Sequence, residues 1–156
     1  MEASHCQQGF LRRRTWYGMH AKIKVGPGLI HRSGFFGVMI PHPGLANWIL
    51  RRGVTERART TLSLCHEFAH FQTLPLMLFF SGGMLSEVFD KRVPSLSGLL
   101  FLMIGLQAAW EIMSEFSTIA QDTKYYRRCY TGVSVWPRVI FWALCVLLVL
   151  LNWMLV

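Results

Sequence analysis

The sequence predicts a single-domain, mainly α-helical membrane protein with a small β-hairpin near its amino terminus. Three observations predict this class: 53% of the 156 residues are hydrophobic, the mean hydropathy is +0.35, and residues 139–156 carry no charge. An uncharged apolar stretch of this length is sufficient for a helix that crosses a bilayer. We therefore expect a transmembrane helix over 138–156 and the lipid bilayer as a partner.

The amino-terminal third combines a basic arm with β-type patterning. Residues 1–16 are polar and basic, so we expect an arm with little order. Within 17–54, residues 21–25 alternate polar and apolar side chains, and 35–40 form a β-prone apolar run that ends at a proline. A glycine-proline-glycine turn separates the runs, so the prediction is a hairpin of two short strands. Two roles are open to it: a sheet edge that holds an extended peptide by main-chain hydrogen bonds, and a small hairpin at the membrane surface.

A short interfacial helical turn is predicted after the hairpin, over 45–50. Trp48 suits the depth of the lipid headgroups, while Arg51 and Arg52 are expected in water. Gly53 then interrupts the helical pattern.

A long helical segment is predicted over 55–89. Thr55 is a suitable N-cap and Glu56 an acid suited to the first turn, so the helix should begin there. Pro75 predicts a kink or break within 71–73, because proline cannot donate the helical hydrogen bond. The segment that follows Pro75 is weakly apolar. It could cross the membrane fully or form a re-entrant segment packed on its neighbour.

The chain then turns back. Residues 89–94 contain turn chemistry, and a return helix is predicted over 95–123, capped by Ser95 or Ser97. The two helices form an antiparallel hairpin that the transmembrane helix follows.

The net charge of +8 predicts membrane topology and no nucleic-acid partner. Ten of the sixteen Lys and Arg residues lie in the first 60 positions and four lie within 124–138, while the hairpin turn has Lys91 and Arg92. Cytoplasmic segments are enriched in these residues. We therefore expect the amino-terminal region and the second loop on the cytoplasmic side. The four cysteines show no paired spacing, which fits a reducing compartment.

The motif His66-Glu67-x-x-His70 lies in the first of the two hairpin helices. Histidines four apart share one helix face and can bind one metal ion, which leaves Glu67 beside it as a general base. A catalytic zinc site needs a third protein ligand and an open position for water.

Glu111 is the best candidate for the third ligand. In the antiparallel hairpin, His70 and Glu111 are equally far from the turn centre between Asp90 and Lys91, and His66 and Glu115 are also equally far from it. Four metal-competent side chains are thus predicted at one height. The alternative is that these acids pair with arginines or histidines for structural reasons only. Two imidazoles and one carboxylate suit zinc and also iron(II), and zinc is favoured.

These residues resemble the integral-membrane gluzincin metallopeptidases, which include HtpX-type proteases and type I CAAX prenyl endopeptidases. The resemblance covers about 60–122 and rests on His66, Glu67 and His70 with the Glu-x-x-x-Glu motif at 111–115. It implies that His66, His70 and Glu111 hold Zn²⁺, and that Glu115 hydrogen-bonds a ligand histidine. The fourth-position acid is a glutamate here, where an aspartate is more usual, and the chain is shorter than those proteases.

The predicted function is a zinc-dependent membrane endopeptidase that hydrolyses peptide bonds of peptide or membrane-protein substrates near the cytoplasmic membrane boundary. Glu67 is the predicted general base, and Tyr125, Tyr126 or His42 is predicted to stabilise the oxyanion. The alternative is a non-catalytic metal-binding subunit of a larger membrane complex, because a chain of this size has little room for a substrate chamber.

Overall fold

The computed structural model describes residues 9–26, 29–91 and 95–155. A small antiparallel sheet at the amino end is followed by a mainly helical region, as predicted. The elements are β1 (Phe10–Arg14), β2 (His20–Val25), β3 (Ile30–Gly34), β4 (Ile40–Pro43), α1 (Leu45–Leu50), α2 (Glu56–Lys91), α3 (Leu96–Gln121), α4 (Thr123–Cys129) and α5 (Trp136–Leu155).

The sheet is a four-stranded antiparallel meander in the order β1-β2-β3-β4. Its inner face packs Leu11 and Ile23 against Leu64 and Phe68 of α2 in one buried cluster. The prediction of a basic arm over 1–16 is wrong for residues 10–14, since alternation around Leu11 lets β1 pair with β2 despite its arginines. Residues 1–8 lie outside the described residues.

The predicted hairpin of 21–25 with 35–40 is wrong in its pairing, because β2 pairs with β1 and with β3, a strand that was not predicted. Residue 40 belongs to β4, but 35–39 form the turn between β3 and β4, where Phe36 has φ +52° and Gly37 has φ +83°. A side chain on Gly34 would place its Cβ 1.7 Å from the Val38 carbonyl oxygen, so the turn needs glycine there. The proline expected to end the strand lies inside β4, which is an edge strand.

The short helix predicted over 45–50 is confirmed as α1. Arg52 is exposed, as predicted, and its guanidinium lies 5.7 Å from the centre of the Trp48 ring. The prediction that Arg51 lies in water is wrong, because its side chain points inward to Glu115 of α3 and is 0% exposed.

Helix α2 begins at Glu56, and the Thr55 hydroxyl accepts a hydrogen bond from the Ala58 amide, which confirms the predicted cap. The helix continues through Pro75, so a break near 71–73 is wrong, while the alternative of a kink there stays a prediction. Pro75 leaves the Phe71 carbonyl without its helical donor. The Tyr17 hydroxyl, from the turn between β1 and β2, donates to that carbonyl at 2.6 Å.

The return helix α3 is capped by Ser95, whose hydroxyl accepts from the Gly98 amide. Helix α5 confirms the predicted carboxyl-terminal helix and packs along α3. A Cβ on Gly105 would lie 3.1 Å from Cβ of Asn152, so the two helices approach closely at this point. Helix α4, capped by Asp122, was not predicted.

Two helices in the described part of the chain are long and apolar enough to cross a bilayer: Leu96–Gln121 and Trp136–Met154. Only 17% and 11% of these spans are buried within the protein, which favours lipid contact over a place in a soluble core. The segment 71–89 of α2 is not among the helices that meet this criterion.

Candidate metal centre

Helices α2 and α3 bring together the three residues that the hairpin register predicted to meet. Single ligand atoms from His66, His70 and Glu111 lie within 4.8 Å of one another. The Nε2 atom of His66 is 2.9 Å from Glu111 Oε2, and that of His70 is 3.4 Å from Glu111 Oε1. Both imidazoles thus turn Nε2 toward the Glu111 carboxylate, so three potential ligand atoms lie close enough together to hold one ion.

The other ring nitrogen of each histidine is held by the protein. His66 Nδ1 lies 2.9 Å from Glu115 Oε2 in an ion-pair contact without hydrogen-bond alignment, and His70 Nδ1 is hydrogen-bonded to the Ser114 hydroxyl at 2.8 Å. The Trp110 ring contacts the His70 ring edge-on at 4.9 Å between centres. Contacts of this kind fix the tautomer of a ligand histidine and direct the lone pair of its other nitrogen to a metal.

The two carboxylates beside His66 favour its imidazolium form, in which Nε2 carries a proton. Burial lowers its pKa, but the contacts with Glu111 and Glu115 raise that pKa to about 9. A metal ion that binds Nε2 must displace this proton.

The Glu115 carboxylate belongs to a buried polar network that reaches α1 and α4. Arg51 donates from Nη2 to Glu115 Oε2 at 3.1 Å, and the Tyr126 hydroxyl donates to Oε1. Burial lowers the pKa of Arg51, but the Glu115 charge opposes this and its pKa is raised overall. Burial, together with that charge, also raises the pKa of Tyr126, so its hydroxyl stays protonated. The network holds Glu115 in place beside His66.

Glu67 is held separately, by the sheet and by α1. Its Oε1 accepts hydrogen bonds from Asn47 Nδ2 at 2.7 Å and from His31 Nδ1 at 2.9 Å. Its Oε2 lies 3.5 Å from Nε2 of His42, which is itself 2.8 Å from the Ser33 hydroxyl. Burial raises the pKa of Glu67, but the His31 hydrogen bond and the neighbouring histidines lower it overall. The group is therefore an oriented, ionised carboxylate.

Of the three predicted oxyanion residues, His42 is the one that contacts the Glu67 carboxylate. Its side chain is 30% exposed. Tyr126 is buried and bound to Glu115, behind His66. Tyr125 is packed against the cluster formed by Val54 and Leu62. The structure therefore does not bring Tyr125 or Tyr126 to the open side of the centre.

Four supporting residues were missed by sequence reasoning: His31, Asn47, Arg51 and Ser114. Asn47 had a signal, because it is an amide within the apolar helix α1, and such a residue is buried only with a partner. His31 had none, because the strand that turns it inward, β3, was itself not predicted. Arg51 had no sequence signal for burial, because two arginines after a short helix are typical of a helix end that is exposed to water.

Comparison with known proteins gave no match: no family model matches the chain, and no curated protein or solved structure is similar to it at a significant level. The site is therefore interpreted from its own geometry.

Proposed function

We propose that this protein is a zinc-dependent membrane endopeptidase of the gluzincin type. The observation that carries the proposal is the convergence of His66, His70 and Glu111 on one point, next to an independently oriented Glu67. This proximity supports the proposal.

The donor set fits zinc. Two imidazole nitrogens and one carboxylate oxygen form a common catalytic zinc site that leaves a position for water. Bound zinc would supply a Lewis acid that polarises a substrate carbonyl and acidifies that water. Iron(II) also uses this donor set. Zinc is preferred because Glu67 supplies the carboxylate base that zinc-dependent hydrolysis needs.

Glu67 is proposed as the general base. Its ionised carboxylate, fixed by Asn47 and His31, accepts a proton from the attacking water and passes it to the leaving amine. His42 is proposed to donate a hydrogen bond to the oxygen on which negative charge develops, since its side chain lies between Glu67 and solvent.

The proposed location is the cytoplasmic boundary of the membrane. Glu111 lies in the second half of α3, after the apolar stretch of its first half, and the polar supports of the site come from the basic amino-terminal region. Positive charge favours the cytoplasmic side. Peptides and segments of membrane proteins that reach this boundary are the proposed substrates.

The second candidate is a non-catalytic metal-binding subunit of a membrane complex. It is favoured by the burial of Glu67, whose side chain is only 6% exposed and whose two oxygens both contact histidines. A carboxylate bound in this way also suits a purely structural role.

One set of variants distinguishes the two candidates. Zinc content of the purified protein is measured by mass spectrometry, and cleavage is measured on a library of membrane-segment peptides. Glu67→Gln should keep its zinc and lose cleavage by about 10²–10⁴-fold, whereas His70→Ala should lose both. Glu56→Gln, an exposed acid at the start of the same helix, is the matched control and should change neither.

Full cleavage by Glu67→Gln would remove the peptidase proposal. Zinc-loaded wild-type protein that cleaves no peptide in the library would favour the subunit.

A further inference from the structure

The outer face of the sheet, which points away from α2, carries a cluster of cations. Leu11 and Ile23 are buried against α2, so the alternating residues of the same strands point outward. The outward cations that pair with one another across strands, here called the basic face, are Arg12, Lys22, Lys24 and Arg32; Arg14 also points outward but pairs with His20.

The strand register places these cations directly opposite one another. Arg12 pairs with Lys22, and Lys24 pairs with Arg32. Like charges opposite each other across strands destabilise a sheet. The sequence has no Asp or Glu from residue 3 to residue 55, and the ion pairs in the described part of the chain involve none of the four. The repulsion is therefore not compensated within this part of the chain, and an external anion would relieve it.

Two exposed apolar turns lie at one end of the same sheet. The β1–β2 turn exposes 72% of Trp16, and the β3–β4 turn exposes 86% of Phe36 and 63% of Val38. Both turns contact α2 at Phe71 and Gln72, where the exposed apolar half of that helix begins. Single exposed apolar side chains are common on protein surfaces, but large ones grouped at adjoining turns indicate an interaction surface.

We propose that the basic face binds the headgroups of anionic phospholipids while the two turns insert among the acyl chains. A membrane surface offers anionic phosphate and an apolar phase side by side, which matches this juxtaposition. A nucleic acid would satisfy the cations but would leave Phe36 and Val38 in water. The same chain also has two helices that are long and apolar enough to cross a bilayer, which supports a membrane as the partner. This inference does not depend on the metal centre.

The first test measures binding of soluble lipids to the full chain in neutral detergent. The probes are dioctanoyl phosphatidylglycerol, dioctanoyl phosphatidylcholine, inorganic phosphate and a short RNA. The anionic lipid should bind most tightly. Lys24→Gln combined with Arg32→Gln should weaken that binding by about fivefold for each cation removed. Arg127→Gln combined with Arg128→Gln removes the same charge from exposed positions of α4 and should leave the binding unchanged.

Equal weakening by the α4 pair would overturn the proposal, since it would show that net charge alone controls binding. Tighter binding of the RNA or of inorganic phosphate would also overturn it. Circular dichroism and thermal unfolding of each variant establish that the sheet remains folded.

The second test examines the turns. Wild-type protein should prefer dioctanoyl phosphatidylglycerol over glycerophosphoglycerol, which has the headgroup without acyl chains. Phe36→Asn combined with Val38→Thr should abolish this preference, and asparagine is chosen because it tolerates the positive φ of residue 36. A preference that survives in this variant would contradict insertion of the turns.

Discussion

The two halves of helix α2 have opposite environments. Every residue from 62 to 69 is buried, between the sheet on one side and α3 on the other. After Pro75 the same helix exposes large apolar side chains, including 77% of Phe79. The hydrogen bond from Tyr17 to the Phe71 carbonyl lies where the two environments meet.

The difference between the two halves shows which part of the helix provides partners for buried polar side chains. Buried polar groups are costly unless each has a partner. In the first half of α2, His66 and Glu67 have partners from the sheet, α1 and α3. The second half instead exposes large apolar side chains. The candidate metal centre thus lies in the buried half of α2, between the sheet and α3.

The largest effect is expected from removing a ring in the buried half. Phe68→Ala should lower the free energy of unfolding by about 3–5 kcal/mol, because Phe68 fills the core between sheet and α2. Phe79→Ala in the exposed half is the matched control and should have little effect in detergent. Chemical unfolding followed by circular dichroism measures both, and equal losses would contradict the contrast between the two halves.

A smaller effect is expected at the end of α1. Arg51→Met should lower the free energy of unfolding by about 3 kcal/mol, because it leaves the buried Glu115 carboxylate without its cation. Zinc affinity should also fall by about 10–100-fold, since Glu115 would no longer fix His66. Arg52→Met, next in sequence but exposed, should change neither quantity. Unfolding and zinc titrations test this pair, and unchanged zinc affinity in Arg51→Met would show that the network does not support the metal centre.

The smallest effect is expected at the junction of the two halves. Tyr17→Phe should lower the free energy of unfolding by about 1 kcal/mol, because it removes the donor that replaces the missing Pro75 amide. Replacing Pro75 by Ala in the same variant should restore most of this loss, since the Phe71 carbonyl regains its helical donor. A loss that persists in the double variant would contradict this role of Tyr17.

The sequence predicted the elements that depend on local periodicity. Helical spacing and the distance to the hairpin turn were enough to align His66 and His70 with Glu111, and the cap at Thr55 and the uncharged carboxyl-terminal helix were equally local signals. The metal-binding role of the three residues stays a prediction.

What the sequence did not predict depends on contacts between distant residues. Strand β1 was not predicted, because its arginines mask the alternation around Leu11. The strand becomes evident only through its pairing with β2. The donor that replaces the missing Pro75 amide comes from Tyr17, 54 residues before the carbonyl it binds. Burial of Arg51 depends on Glu115, 64 residues away. Local patterns carry no information on these partners.

The coordination sphere of the bound metal tests the central claim most directly. X-ray absorption at the zinc edge of the purified, zinc-loaded protein should show two imidazole nitrogens and carboxylate or water oxygens at about 2.0–2.2 Å, with no sulfur. Glu111→Gln should alter or lose this sphere, while Glu56→Gln should not. A protein that retains no zinc, or a sphere without two imidazoles, would contradict the account.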